Sequence, residues 1–187
     1  MYRNILPFLH DQIRAHIQSG DCVIDATAGN GHDTLFLAQC VGETGRVFAF
    51  DIQTAALQQT EQRLQQNGVA QRVSLIHAGH EQMAEFVAEE VSAVMFNFGY
   101  LPRGNHEITT QPETSLQAFQ AALKLLKVQG IVTAALYHGH EAGKDEMREI
   151  VSFAAQLPQE KFRVLRYEFI NQRNCPPVGL VAQKLEN

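Results

Sequence analysis

The sequence predicts an α/β protein with a doubly wound, mostly parallel seven-stranded sheet and an antiparallel last strand. Two observations carry this prediction. Short apolar runs alternate with helical patterns along the chain, and no helical pattern separates the last two apolar runs. Repeated strand–helix units form parallel sheets that bind ligands at the carboxyl ends of the strands, whereas two strands in direct succession pair antiparallel. Because the 187 residues contain no linker or repeat, we expect one domain over residues 1–187.

The first half of the chain supplies four of the predicted strands. Isoleucine and leucine recur at helical spacing near the amino terminus, which predicts an amphipathic helix over residues 3–18. The other elements follow by alternation, with strands over 22–26, 45–51, 72–77 and 93–98, and helices over 33–41, 54–66 and 81–90.

The second half supplies the remaining three strands and one irregular stretch. Two helices are predicted over 114–127 and 143–157, and three strands over 130–137, 162–170 and 178–185. Residues 99–113 follow the fourth strand and include Pro102, Gly104 and Pro112. Because this stretch begins at the carboxyl end of a strand, it is a candidate substrate loop.

Composition and charge argue against several classes of protein. The net charge is −5, and residues 1–100 hold 5 Lys/Arg against 11 Asp/Glu, which disfavours a broad basic surface for duplex nucleic acid. Residues 101–187 hold 10 against 9, which leaves room for a small basic patch. No apolar run reaches about 18 residues, and no secretion leader is evident. Three scattered cysteines without a CxxC pair fit reduced thiols in the cytoplasm.

The loop after the first strand, DATAGNGHDT at 25–34, carries the strongest ligand-binding pattern. Gly29 and Gly31 let the backbone approach a ligand, and the helix start offers free N–H groups to an anion. Asp51 ends the second strand, where a carboxylate can accept hydrogen bonds from both ribose hydroxyls. The dinucleotide fingerprint GxGxxG fails at Thr34, whereas DxxxGxG resembles the class I methyltransferases that bind S-adenosylmethionine. A strand–helix turn without a ligand is the alternative.

A second pattern, Asn97-Phe-Gly-Tyr100, stands at the end of the fourth strand. Methyltransferases that act on amines carry Asn/Asp-Pro-Pro-Tyr/Phe at this place. Carbonyl groups there accept the amine hydrogens and direct the lone pair at the methyl group, while the ring stacks on a planar substrate. Here Asn97 and Tyr100 keep the outer positions, and Phe98 and Gly99 replace the prolines. We therefore expect Asn97 and Tyr100 to be catalytic, with a plain strand end and turn as the alternative.

Six of the eight histidines lie at predicted strand or loop ends, among them His138 and His140. We expect no metal there, because no HExxH-like spacing is present and methyl transfer from a sulfonium needs no metal. The later loop NQRNCPP at 171–177 is either a polar connection or, through Arg173 and Asn174, a contact to phosphate or base.

Four segments, taken in order, resemble one family. They are GD…IDATAGNGHDTLFLA at 20–38, MFNFGYLPRGNH at 95–106, YHGHEAG at 137–143 and NQRNCPP at 171–177. The chain is similar to the YtqB/MnmM-type family of class I S-adenosylmethionine-dependent methyltransferases, long labelled rRNA methylases and now associated with a tRNA methyltransferase. The third family segment usually reads YxGHPGG, and Glu141 and Ala142 depart from it here.

The resemblance implies a Rossmann-like fold, S-adenosylmethionine as cofactor, and N-methylation of the 5-aminomethyl group of (2-thio)uridine at the wobble position of tRNA. A single-stranded anticodon loop needs only a stacking pocket and a few cations, which is compatible with a pI of 5.9. The phosphate contacts we expect are Arg103, Lys144, Arg148 and Arg173. The implied cofactor-binding residues are Asp25, Thr27, Gly29, Asn30, Gly31, Asp33, Thr34, Asp51, Gln53, His80, Glu81 and Asn97. The implied substrate-binding residues are Tyr100, Pro102, Arg103, His106, Tyr137, His140, Arg173 and Asn174.

An alkylamine substrate raises the question of its proton. Its pKa is near about 10, so it arrives mostly protonated and must lose a proton before it can attack. His80, His106 and His140 are candidate acceptors.

The alternatives left open are an rRNA methyltransferase, a small-molecule amine N-methyltransferase and a non-catalytic binding subunit, whereas Thr34 and the final strand pair disfavour a nicotinamide-dependent oxidoreductase. We expect a cytoplasmic protein with neither membrane nor metal partner, and a homodimer is one option.

Overall fold

The computed structural model describes residues 2–99, 110–139 and 141–186. Its strands are β1 (Cys22–Asp25), β2 (Arg46–Asp51), β3 (Val73–His77), β4 (Val91–Phe98), β5 (Leu126–Leu136), β6 (Phe162–Tyr167) and β7 (Val178–Lys184). Its helices are α1 (Ile5–His16), α2 (His32–Cys40), α3 (Thr54–Gln66), α4 (Met83–Phe86), α5 (Pro112–Leu125) and α6 (Glu141–Ala154).

All seven strands form one sheet in the order β3-β2-β1-β4-β5-β7-β6. The first five strands run parallel to one another, and β7 lies antiparallel between β5 and β6. This confirms the predicted doubly wound sheet with its antiparallel last strand. The carboxyl ends of β1, β2 and β4 meet at one edge, where Asp25 lies in register with Ala49 and with Met95.

The predicted and observed bounds differ most for two elements. The helix predicted over 81–90 is only the single turn of α4, preceded by a 3-10 turn at His80–Gln82. Val87 already has an extended backbone (φ −114°, ψ 107°), because the chain must reach β4 at Val91. At the same end of the β4–β5 pair, Leu126 is extended rather than helical and pairs with Val91, so β5 begins inside the helix predicted over 114–127.

One apolar layer covers each face of the sheet. Successive side chains of β4 enter the two layers in turn, and this alternation determines where its polar side chains point. Phe96 and Phe98 are buried in the layer beneath α5 and α6, whereas Met95 belongs to the layer of α1, α2 and α3. Successive side chains of a strand point to opposite faces. Asn97 therefore points to the same face as Met95, the face that α1 and α2 cover.

The helices themselves are short. The longest described helices, α5 and α6, have 14 residues each, and none in the described part of the chain has the length and apolar content needed to cross a membrane.

Candidate active site

The loop between β1 and α2 turns through two glycines in the left-handed region. Gly29 has φ 52° and Gly31 has φ 76°, conformations that cost other residues about 1–2 kcal/mol. A Cβ on Gly31 would lie 2.8 Å from the Thr60 Cα and Oγ1 in α3. At this position the glycine is therefore needed for packing against the protein itself as well as for its backbone angle.

Two side chains of helix α3 hold this loop through hydrogen bonds. The Thr60 Oγ1 donates to the Gly29 carbonyl at 3.0 Å, and the Arg63 Nε donates to the Asn30 carbonyl at 2.7 Å. Two successive loop carbonyls are thus turned toward α3. Neither bracing residue was predicted from the sequence, since both lie in an unremarkable, glutamine-rich helix.

Asp25 is the internal brace of the loop. It is almost fully buried, and its carboxylate accepts hydrogen bonds from the Thr27 N–H at 3.1 Å and the Thr34 Oγ1 at 2.6 Å. Burial, reinforced by the nearby Asp33 charge, raises the pKa of Asp25 to about 7. Thr34, which breaks the dinucleotide fingerprint, is therefore the partner of this buried acid.

Asp51 lies at the end of β2 beside the glycine turn. Its Oδ2 accepts from the Gly29 N–H at 2.9 Å and its Oδ1 accepts from the Gln53 N–H at 2.8 Å. Burial raises the pKa of Asp51, and these two backbone hydrogen bonds oppose that shift. Because a carboxylate oxygen can accept more than one hydrogen bond, the oriented group can still bind a diol.

Asn97, at the end of β4, is held through its backbone N–H and its side-chain NH₂. Its backbone N–H donates to the Thr27 Oγ1 at 2.8 Å, and its side-chain Nδ2 donates to the Asp33 Oδ2. Its Oδ1 is buried and has no hydrogen-bond partner among the described residues. Asp33 in turn binds the His10 Nε2 through its Oδ1 at 2.7 Å. The amide thus presents one oriented, unsatisfied acceptor.

His80 supplies a second unsatisfied polar atom near the carboxyl end of β1. Its ring packs edge-on against Phe96 and Phe98, with centroids 6.1 and 5.8 Å away, and its Nε2 is buried without a partner in the part of the chain described. Burial lowers the pKa of His80, although the Glu81 charge and a hydrogen bond to the Ala26 backbone oppose it. The neutral ring is therefore favoured.

The predicted substrate side is described only in part. Five of the predicted residues lie outside the described part of the chain, namely Tyr100, Pro102, Arg103, His106 and His140. Tyr137 is half-buried, with its Cβ 3.7 Å from the position that a Cβ on Gly99 would take.

Arg173 and Asn174 lie in the exposed loop before β7, where Asn174 and Cys175 have positive φ. The His138 Nε2 and the Pro176 carbonyl, 2.9 Å apart, tie that loop to the end of β5.

A cationic groove lies beyond this tie, between α6 and β6. We use this term for a cavity of about 590 Å³ whose basic side chains are His138, Lys144, Arg148 and Arg166. Each Lys or Arg of this groove is paired with an acid: Lys144 with Glu141 and Arg148 with Asp145, both at 2.6 Å, and Arg166 with Glu168 at 2.7 Å. Across the described residues, no group of three His, Cys, Asp or Glu side chains is arranged to hold a metal ion.

Comparison with known proteins gives matches along most of the sequence. A family model described as “Putative rRNA methylase” matches residues 47–183. The chloroplastic tRNA (mnm(5)s(2)U34)-methyltransferase of Arabidopsis thaliana is 38% identical over 181 residues, which cover 91% of this chain and 66% of that relative. The chain therefore spans slightly less than two thirds of the relative's length.

Solved structures of similar sequence match the whole chain. A Clostridium thermocellum protein described as a “putative rRNA-methylase” is 45% identical, with a TM-score of 0.97 and coverage of 99% of this chain and 100% of that one. SMU.1697c of Streptococcus mutans, a “putative methyltransferase” solved in complex with SAH, is 34% identical, with a TM-score of 0.91 and coverage of 99% and 100%. An rRNA methylase of Streptococcus thermophilus is 32% identical, with a TM-score of 0.85 and coverage of 100% and 99%.

Proposed function

The chain belongs to the family described as “Putative rRNA methylase”, and from that membership we propose that it is an S-adenosylmethionine-dependent N-methyltransferase acting on tRNA. Its proposed substrate is the 5-aminomethyl group of (2-thio)uridine at the wobble position, bound through the anticodon loop. The observation that carries this proposal is the Asn97 amide, whose Nδ2 is bound to Asp33 and whose buried Oδ1 has no partner in the described residues. The name of the Arabidopsis thaliana relative supports the same substrate.

The residues at the sheet edge fit S-adenosylmethionine. Asp51 offers a carboxylate to the ribose hydroxyls. The Gly29 N–H donates to the Asp51 Oδ2 at 2.9 Å and thereby orients this carboxylate. His80 adds a buried nitrogen without a partner in the described residues. When bound, the cofactor supplies an electrophilic methyl group: the amine lone pair forms the N–C bond, the C–S bond breaks with its electron pair on sulfur, and the nitrogen releases one proton. All the predicted cofactor contacts, these three included, stay predictions.

Asn97 would orient the nucleophile. Its Oδ1 can accept one N–H of the substrate amine, which fixes the direction of the lone pair. The same acceptor would bind an alkylammonium before it loses its proton. Of the three candidate proton acceptors, His80 is the one within the described residues. Its ring packs against Phe96 and Phe98, on the sheet face opposite the Asn97 side chain, so its role as acceptor stays a prediction.

The RNA would lie across the carboxyl edge of the sheet and the cationic groove. Arg166 joins the predicted phosphate contacts Lys144 and Arg148 in lining that groove, and Arg173 lies in the loop that His138 ties down. Cations of this kind position a nucleic-acid backbone without reading its sequence. A cytoplasmic location and a homodimer stay predictions.

Matched substrates test the proposal. Purified protein with labelled S-adenosylmethionine is offered two synthetic anticodon stem-loops, one with uridine and one with 5-aminomethyluridine at the wobble position, alongside ribosomal RNA and small alkylamines. We expect label only in the stem-loop that carries the amine. Label in ribosomal RNA alone would favour the rRNA function by which the Clostridium thermocellum relative is described. Label in the small amines alone would indicate a metabolic N-methyltransferase.

A further inference from the structure

We propose that His10 in α1 is a positioning residue for methyl transfer, because it holds Asp33 and thereby fixes the orientation of the Asn97 amide. This inference rests on the proposed amine methylation. It adds a residue that belongs to none of the four sequence segments of the site and that lies 87 positions before Asn97.

The contacts form an unbroken series from helix to strand. The His10 Nε2 lies 2.7 Å from the Asp33 Oδ1, and the Asp33 Oδ2 accepts from the Asn97 Nδ2. The series is largely shielded from solvent, with side-chain exposures of 28% for His10 and 16% for Asp33. Both oxygens of the carboxylate are therefore used by side chains, one on each side.

The orientation matters because an amide group has two ends of nearly the same shape and opposite hydrogen-bonding character. An ionised carboxylate only accepts hydrogen bonds, so Asp33 binds the NH₂ end of Asn97 and leaves the oxygen on the other side. If the amide turned over, it would present two N–H donors to the substrate amine. The N–H bonds of that amine would then lack the acceptor that aligns the lone pair.

His10 would stabilise this arrangement by restraining Asp33. A carboxylate held at a single oxygen can rotate about its χ2 torsion, which is broad for this side chain. The ring of His10 is itself fixed, because it stacks on Phe36 with centroids 4.1 Å apart and planes at 12°. Phe36 belongs to α2, the helix that begins with the Asp33 turn. The histidine thus connects α1 to the helix that carries the carboxylate.

Steady-state kinetics on the amine-bearing stem-loop test this role. We expect His10→Ala to lower kcat about tenfold, since small misplacements of reacting groups are costly, and to leave cofactor affinity within about twofold. His10→Gln retains an N–H donor and should recover about half of the wild-type kcat. His16→Ala removes the other histidine of α1, which bonds the Gln12 carbonyl of its own helix, and should leave kcat unchanged.

A double-mutant cycle separates positioning from general damage. Because His10 acts only through Asn97 in this proposal, His10→Ala should lower kcat no further in an Asn97→Ala background. Additive effects of the two substitutions would overturn the proposal. Equal losses in His10→Ala and His10→Gln, or a wild-type kcat in His10→Ala, would also overturn it.

A spectroscopic readout keeps this test independent of the substrate assignment. The side-chain NH₂ signal of Asn97, assigned by its loss in Asn97→Ala, should contain one proton shifted downfield by the carboxylate. His10→Ala should reduce that shift, and His16→Ala should not. If the wild-type protein methylates no amine but His10→Ala still changes this signal, the proposed function fails and the positional link stands. An unchanged signal in His10→Ala overturns the link itself.

Discussion

The proposed cofactor side of the site, at Asp25 and Asp51, and its acceptor side, at Asn97, differ in how far along the sequence their hydrogen-bond partners lie. On the cofactor side, Asp25 and Asp51 bind groups that are at most 22 residues away, and every carboxylate oxygen has a protein partner. On the acceptor side, Thr27 and Asp33 hold Asn97 from 70 and 64 residues away, and Oδ1 has no partner among the described residues. We infer from this difference that residues 25–34 and Asp51, which we call the cradle, are preformed for the proposed cofactor, whereas the proposed substrate would complete the acceptor at Asn97.

The largest expected effect breaks the cradle at Gly31. Gly31→Ala imposes left-handed strain of about 1–2 kcal/mol and overpacking against Thr60 of about 1–3 kcal/mol. Gly68→Ala is the matched control, because Gly68 also has positive φ (67°) but nothing lies within 4 Å of its added Cβ. Chemical denaturation should show the larger loss of unfolding free energy for Gly31→Ala. Equal losses would mean that contact with Thr60 is unimportant.

The buried acid of the cradle predicts a pH dependence of stability. The pKa of Asp25 is about 7 in the folded protein and 3.8 ordinarily, so the folded state binds this proton more tightly than the unfolded chain does. The stability that it contributes is present at low pH and declines as the pH rises from 3.8 towards about 7.

Asp25→Asn should remove that decline. The stability of the variant relative to wild type should rise by on the order of a few kcal/mol between about pH 4 and about pH 8. Urea denaturation across this range measures the difference. A difference between the two proteins that does not change with pH would argue against a raised pKa.

The acceptor side is tested at Asn97. Asn97→Ala should lower kcat on the order of a hundredfold, because the nucleophile loses its orientation, while cofactor affinity stays near wild type. Methyl transfer and calorimetry on the same preparations separate the two effects. A wild-type rate in this variant would remove the orienting role, and a parallel loss of cofactor affinity would erase the distinction between the two sides.

Asp51 gives the converse result. Asp51→Ala removes the acceptor for the ribose hydroxyls and should weaken cofactor binding by about 1–3 kcal/mol, with kcat largely restored at saturating cofactor. The Gly29 N–H also loses its partner, so the variant's thermal midpoint is measured in parallel. Unchanged cofactor affinity in calorimetry would exclude Asp51 from the binding site.

Removal of metal ions by a chelator is expected to have no effect on methyl transfer. The ring Nε2 of His138 is 2.9 Å from the Pro176 carbonyl, a structural contact that leaves this nitrogen unsuited to a metal. Chelators should therefore leave methyl transfer unchanged. Activity lost on chelation and restored by zinc would contradict this account of the histidines.

Sequence patterns anticipated the cradle better than the acceptor side. Both hydrogen bonds that the Asp25 carboxylate accepts come from within the segment, from Thr27 and Thr34, so a local pattern describes this contact. Alternation along β4 also predicts which face Asn97 takes. Nothing near His10 in the sequence indicates a role, because its partner Asp33 lies 23 residues away and the two side chains meet only in the folded chain. The helix predicted over 81–90 was too long for a similar reason, since the backbone becomes extended at Val87 to reach β4 at Val91.

The central claim is that this chain methylates the wobble amine of tRNA, and nucleoside mass spectrometry of tRNA from a strain lacking the protein tests it most directly. We predict that 5-aminomethyl(-2-thio)uridine accumulates at the expense of its N-methylated form, and that a plasmid copy reverses this whereas an Asn97→Ala copy does not. Unchanged tRNA nucleosides, together with a methyl group missing from ribosomal RNA, would contradict the account.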